Sequence, residues 1–186
     1  MRYKRLGFSA DKGNRLKNQL LQQGIVEAQR IRVGNTRKLL LRVTDEAKRE
    51  LGIEGKKSSR ESLEHEYWKR YYARVFRERG YHVTLEAPRR HGRVDVLAVK
   101  PAENASRAPE SVAIEIETGK SDVVWNVKND LSDRIPFVVV VATSKEAMEK
   151  VQRQLVDAKL LIPIMVQVVL AGRRISLDDS EGWTLP

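Results

Sequence analysis

Apolar and polar positions in the first third of the chain follow a helical and then an alternating pattern. Leucines on one helical face predict a helix that ends at about Gln23 and that either Ser9 or Asp11 can cap. Strand-forming runs at 25–33 and 37–43 flank a Gly-Asn-Thr turn and predict a β-hairpin. A threonine-capped helix follows and ends near Gly52. This stretch therefore predicts a small helix–hairpin–helix module over residues 1–53.

Beyond residue 62 the pattern changes to helices alternating with apolar strands. Residues 54–61 are polar, lack large apolar side chains and predict a linker between two domains. The element order α-β-β-β-α-β-α-β predicts an α/β domain over 62–186, a sheet flanked by helices. The predicted ranges are 62–79, 81–86, 94–99, 112–118, 122–131, 137–142, 145–160 and 162–171.

Composition limits the classes of protein that this chain can represent. The 186 residues include no cysteine, which excludes disulfides and thiolate zinc sites and favours a reducing, cytoplasmic location. No apolar run approaches the roughly 20 residues that span a bilayer, so no membrane association is expected. The net charge of +10 lies entirely in residues 1–60, which hold 16 Lys and Arg against 6 Asp and Glu. This asymmetry predicts a module that binds a polyanion.

Three carboxylates interrupt two apolar strands of the second domain. Asp95 lies between two valines, and Glu115 and Glu117 alternate with isoleucines on the following strand. Residues 115 and 117 leave the same face of a strand, so these acids repel one another unless a cation lies among them. We therefore predict a divalent-metal site. The alternative is that Glu115 and Glu117 line the exposed face of an edge strand.

This strand order, with Arg93-Val94-Asp95-Val96 and then Ile114-Glu115-Ile116-Glu117, resembles the PD-(D/E)XK nuclease superfamily, which includes restriction enzymes and archaeal Holliday-junction resolvases. The resemblance covers most of residues 62–145. It implies a restriction-endonuclease-like core in which Asp95, Glu115 and Glu117 bind Mg²⁺ or Mn²⁺. The family usually has lysine where Glu117 stands, and Lys120 is a candidate for the missing positive charge.

The same resemblance implies further contributions to the site. Family members often supply an acid from the first helix, and Glu66 is the predicted residue, with Glu64 and His65 left open. The helix after the third strand offers Asn126 and Lys128. Apart from the resemblance, the basic loop around Arg89 and Arg90 is expected either to contact phosphate or to be a solvated loop. Trp68 and Trp125 are candidates for stacking on bases, although scattered aromatic residues more often serve packing.

The first module resembles the second half of a winged helix-turn-helix domain, without the helices that usually precede the recognition helix. That resemblance implies a helix in the DNA major groove and a hairpin wing on the phosphates. The implied DNA-facing helix residues are Lys12, Asn14, Arg15, Lys17 and Asn18. The implied wing residues are Arg30, Arg32, Arg37 and Lys38. The alternative is that this helix and hairpin only pack against the second domain.

Together these features predict a Mg²⁺- or Mn²⁺-dependent endonuclease that acts on duplex or branched DNA. A homodimer is expected because two strands must be cut. A second hypothesis keeps the nuclease fold without catalysis, as a DNA-binding or targeting subunit that partners, or was once fused to, an ATPase. A third hypothesis is a transcription regulator whose second domain binds a ligand or dimerises.

Overall fold

In the computed structural model, which describes residues 3–53, 62–102, 110–162 and 165–175, the chain divides into two units. The first comprises Met1–Glu64 and the second His65–Pro186. The described elements are mixed α/β, with a two-stranded sheet in the first unit and a five-stranded sheet in the second. The predicted linker, 54–61, lies outside the described residues.

The first unit contains the predicted helix, hairpin and short helix. Helix α1 (Ala10–Gln22) begins after Ser9, whose Oγ accepts a hydrogen bond from the backbone N of Lys12. Strands β1 (Val26–Val33) and β2 (Thr36–Val43) form an antiparallel hairpin. Helix α2 (Asp45–Glu50) follows, with Thr44 as its N-cap. Inside α1, a Cβ on Gly13 would overlap the Tyr3 ring, so only glycine lets that ring pack there.

The second unit has the predicted order of helices and strands. Its elements are α3 (Leu63–Glu78), β3 (His82–Arg89), β4 (Gly92–Lys100), β5 (Glu110–Glu117), α4 (Val123–Ser132), β6 (Phe137–Ala142), α5 (Lys145–Asp157) and β7 (Val166–Leu170). The sheet order is β3-β4-β5-β6-β7. The first three strands are antiparallel, whereas β5, β6 and β7 run parallel. The antiparallel meander is therefore joined to a parallel half through β5.

Both faces of this sheet are covered. On one face, Ala113 and Val140 pack in a cluster with residues of α4 and α5, among them Val127 and Leu155. The opposite set of side chains on β5 and β6, which includes Ile114, is buried as well. Helix α3 supplies the largest fully buried side chains, which are Trp68, Tyr72 and Phe76. In the described residues, no helix combines the length and the apolar character needed to cross a membrane.

Candidate functional site

Asp95 lies where strands β4 and β5 part. Their backbone pairing ends at Val96 opposite Ile114, one residue short of Asp95. Beyond that point the Asp95 carboxylate replaces a backbone partner, because its Oδ2 accepts a hydrogen bond from the Ile116 N at 2.8 Å. The side chain is thus fixed at the start of the gap between the two strands.

Strand β3 is distorted at the same level of the sheet. Its register with β4 places Glu86 opposite Asp95, but these two residues do not form a backbone pair, whereas the residues on either side do. Glu86 has a φ of 53°, in the left-handed region that a glutamate rarely adopts. Its carboxylate pairs with the ammonium group of Lys69, which is buried on α3. Strained backbone of this kind persists where the surroundings hold it and is frequent near functional sites.

Glu115 and Glu117 lie on the central strand of the sheet. They leave the same face as Ala113 and are almost completely buried, with exposed fractions of 3% and 1%. The alternative that they line the open face of an edge strand is therefore wrong. Buried carboxylates in this position need hydrogen-bond partners or opposite charge.

Arg89 supplies opposite charge to Glu115. Its Nη1 lies 3.3 Å from Glu115 Oε1 and also donates to Asp130 Oδ1 on α4. The guanidinium is further fixed by Asn126, whose Oδ1 accepts from Nη2 at 3.1 Å and whose backbone O accepts from Nη1 at 3.2 Å. The Arg89 side chain is only 3% exposed. Arg89 was predicted to contact nucleic acid, but its burial in these ion pairs makes it part of the interior of the site instead.

Glu117 is held by neutral partners from the loop after β5 and from α4. Ser121 Oγ donates to its Oε2, and Asn126 Nδ2 donates to its Oε1 at 3.3 Å. Asn126 therefore links Glu117 to Arg89, as expected of a polar residue on this helix. Lys120 lies exposed in the loop between β5 and α4. The buried positive charge comes from Arg89 rather than from Lys120.

The first helix of the second unit contributes His65 to the site. His65 Nε2 lies 3.0 Å from Asp95 Oδ2, and each of the two side chains is 16% exposed. Glu66, the residue predicted for this role, forms an ion pair with Arg70 at 2.8 Å one turn further along the helix. Of the three candidates Glu64, His65 and Glu66, His65 is thus the one with a described contact to Asp95.

Negative charge exceeds positive charge in this site. Four carboxyl groups belong to it: Asp95, Glu115, Glu117 and Asp130. The described contacts offset them with one guanidinium, from Arg89, and with His65, which is charged only when protonated. Protons or a bound cation can relieve this excess among the described residues.

The pKa shifts follow from this imbalance. Burial raises the pKa of Glu115 well above its usual range, and the charges of Asp95 and Asp130 raise it further against the effect of Arg89. Burial also raises the pKa of Glu117, although hydrogen bonds from Ser121 and Asn126 lower it. The pKa of Asp130 is raised by burial and lowered by the charge of Arg89.

The predicted metal ligands are the carboxylate oxygens of Asp95, Glu115 and Glu117. Oxygen ligands of this kind suit a hard divalent cation. Their present arrangement does not form a ready ligand shell. In the part of the chain that the structure describes, no group of three or more His, Asp and Glu side chains is gathered so as to hold a metal ion. One difference from a metal-ligand shell is the Arg89 ion pair, because it engages an oxygen of Glu115 that a cation would also need.

In the first unit, most of the predicted DNA-facing residues are exposed. On α1 these are Lys12, Asn14, Arg15 and Asn18, whereas Lys17 is partly buried. On the hairpin, Arg30, Arg32 and Arg37 share one face, and Lys38 belongs to the opposite face. Arg32 and Arg37 are direct cross-strand partners. Like charges opposite each other are destabilising, and Arg32 Nε donates to the Gly34 backbone O at 3.2 Å.

Comparisons of the chain with protein-family models, with curated proteins and with solved structures found no match.

The buried acids predict a stability that depends on pH. The folded-state pKa values of Glu115, Glu117 and Asp130 are raised above their ordinary values of 4.5, 4.5 and 3.8. Below the ordinary values, these protonated acids make their full contribution to the stability of the folded state. It is lost as the pH rises through the raised values. We therefore expect the second unit to become less stable as the pH rises above the ordinary carboxyl range. Urea unfolding followed by tryptophan fluorescence measures this unit, which contains all three tryptophans.

Glu117→Gln is the informative variant for this measurement. It removes one titrating acid and keeps an oxygen for hydrogen bonding, so the decline with pH should become shallower. Glu149→Gln, a change at an exposed position on α5, serves as the matched control and should follow the wild type. Equal slopes for Glu117→Gln and the wild type would contradict the assignment of the pH dependence to this site.

Proposed function

We propose that this protein is a metal-dependent nuclease that hydrolyses phosphodiester bonds in DNA. The observation that carries the proposal is the excess of buried carboxylates around Asp95 at the opening between β4 and β5. A bound divalent cation would relieve that excess, and a phosphate group of the substrate would supply the next ligands.

The order and direction of the elements support a restriction-endonuclease-like core. One helix, three antiparallel strands, a second helix and a strand parallel to the third follow one another from α3 to β6. This is the arrangement that the resemblance to the PD-(D/E)XK superfamily leads us to expect. On this proposal, Asp95 on the second of these strands and Glu115 on the third would correspond to the motif acids, and Glu117 would stand at the usual lysine position.

Asp95, Glu115 and Glu117 are the residues that would hold Mg²⁺ or Mn²⁺. When bound, such an ion polarises the scissile phosphate and lowers the pKa of a coordinated water. The protein's own residues fix the carboxylates. The Ile116 N and His65 hold Asp95, and Ser121 and Asn126 hold Glu117. Arg89 provides the positive charge that the motif lysine supplies in most family members.

The first unit would bring the protein to its substrate. Its exposed arginines on one hairpin face and its polar helix α1 suit contacts with the phosphates of duplex or branched DNA. Because salt competes with such contacts, binding should weaken steeply as ionic strength rises. We further propose that the protein works in the cytoplasm as a homodimer, so that two active sites can cut both strands.

A second candidate function is DNA binding without cleavage, for example as the targeting subunit of a DNA-processing ATPase. The observation that favours it is the Arg89 ion pair, which engages Glu115 and Asp130 together. A glutamate at the usual lysine position points in the same direction. In this case the guanidinium would be a permanent substitute for the divalent cation.

A cleavage assay on plasmid, linear, branched and single-stranded DNA, with Mg²⁺, Mn²⁺ or EDTA, separates the two candidates. We expect cleavage with Mg²⁺ or Mn²⁺ and none in EDTA. Binding of the same substrates without any cleavage in either ion would instead support the targeting function.

A further inference from the structure

Trp125 presents an aromatic ring at the surface next to the carboxylate site. It is 49% exposed, whereas Trp68 is completely buried. Its neighbours on α4 at positions 123 and 127 are buried in the core, so the rest of the helix is anchored. Tryptophan is enriched at interaction surfaces, where its ring supplies a large apolar contact area.

Trp125 contacts or adjoins residues that form the carboxylate site. The Arg89 guanidinium, which also pairs with Glu115, lies 5.9 Å from the centre of the Trp125 ring. The backbone N of Trp125 is capped by Asp122 at 3.0 Å. The next residue, Asn126, donates to Glu117. Trp125 is therefore held at the rim of the carboxylate cluster.

The turn between β3 and β4 runs along one edge of this ring. A Cβ on Gly92 would lie 3.8 Å from the indole and 3.8 Å from Arg89, so the backbone of the turn passes beside both groups. The same turn exposes Arg90 and His91, and Lys128 is exposed one turn further along α4. Arg93, at the start of β4, is exposed as well and lies 3.9 Å from Glu86 Oε2. Positive charge and an open aromatic ring are thus found together.

We propose that Trp125 stacks on an unpaired nucleobase of the substrate, while the exposed cations around it contact the adjoining phosphates. Bases in an intact duplex stack on one another and offer no free ring face, whereas single strands and branch points do. This inference rests on the proposed function and narrows its substrate class to nucleic acid with an unpaired base beside the cleaved bond. A purely acidic protein partner would satisfy the cations but would leave the indole without a stacking partner.

The test measures binding in EDTA, so that it does not depend on cleavage. A fluorescently labelled single strand of about 12 nucleotides and the blunt-ended duplex that it forms with its complement are titrated with the full chain, and anisotropy is recorded. The variants are Trp125→Ala and Trp125→Phe. Val156→Ala, at an exposed apolar position on α5, is the matched control.

We expect Trp125→Ala to weaken single-strand binding about tenfold and to leave duplex binding unchanged, because one base loses its stacking surface. Trp125→Phe should restore most of the loss, and Val156→Ala should match the wild type. Equal affinities of Trp125→Ala and the wild type for the single strand would overturn the inference. So would an equal loss on both substrates, which would indicate a general charge or packing effect. A failed cleavage assay with the single-strand effect intact would refute the proposed nuclease activity and leave the stacking site in place.

Discussion

Asp95→Asn is expected to lower metal-dependent cleavage by about a thousandfold. A lost metal ligand removes on the order of 4 kcal/mol of transition-state stabilisation, and each 1.36 kcal/mol corresponds to a factor of ten. The substitution keeps an oxygen that can accept the Ile116 N hydrogen bond, so the strand opening should be preserved. Initial rates on the best substrate from the cleavage assay measure the effect.

Two comparisons make this result specific. Glu149→Gln removes a carboxylate from an exposed position of the same unit and should cleave at the wild-type rate. Urea unfolding of Asp95→Asn should give a midpoint near that of the wild type. Cleavage within tenfold of the wild type in Asp95→Asn would show that this aspartate is not part of the active site.

Arg89→Met is expected to destabilise the second unit by about 3–5 kcal/mol, because it leaves buried carboxylates without their positive partner. Glu115 and Asp130 both pair with this guanidinium. Such a loss is a large share of the roughly 5–15 kcal/mol that keeps a typical domain folded. The free energy of unfolding in urea is the quantity to compare, with the exposed neighbour in Arg90→Met as the control.

A double variant keeps this prediction testable if Arg89→Met does not fold. Arg89→Met with Asp130→Asn removes one of the uncompensated charges together with the arginine. It should recover a substantial part of the lost stability. If Arg89→Met alone loses less than about 1 kcal/mol, the ion pairs are worth no more than surface pairs. The interpretation of Arg89 as the charge that neutralises buried Glu115 and Asp130 would then be wrong.

Most of the fold follows from local patterns in the sequence. Apolar periodicity and turn residues predict the helices and strands that the structure describes in the second unit, in the right order. The ends of elements are less well predicted. Strand β3 extends to Arg89 rather than to residue 86, and β7 starts at Val166 rather than at 162. Ends depend on tertiary contacts, which periodicity alone does not contain.

The candidate site could be predicted only in part. Asp95, Glu115 and Glu117 stand out because acids in apolar strands are costly to bury. Their degree of burial was harder to infer, since alternation with isoleucine suits a half-exposed strand as well as a central one. The strand order decides between these possibilities, because β5 pairs on both sides.

Arg89 was assigned another role, Asp130 was assigned none, and His65 was left open beside Glu64 and Glu66. Arg89 falls in a run of basic residues that predicts a solvated loop. Arg89 continues the alternating positions of Val83, Leu85 and Ala87 along β3. The sequence prediction ended this strand at residue 86 and so did not include Arg89 in it. Asp130 continues the buried stripe of α4 that includes Val127, which was a usable signal. For His65, the rotation of α3 about its axis was needed, and one sequence does not define it.

The central proposal is that the acids around Asp95 bind a divalent cation, and calorimetric titration of Mn²⁺ into the full chain without nucleic acid tests it most directly. We predict saturable Mn²⁺ binding to the wild type, its loss in Asp95→Asn, and its retention in Glu149→Gln. Absence of Mn²⁺ binding to the folded wild-type protein, or identical binding to Asp95→Asn, would contradict it.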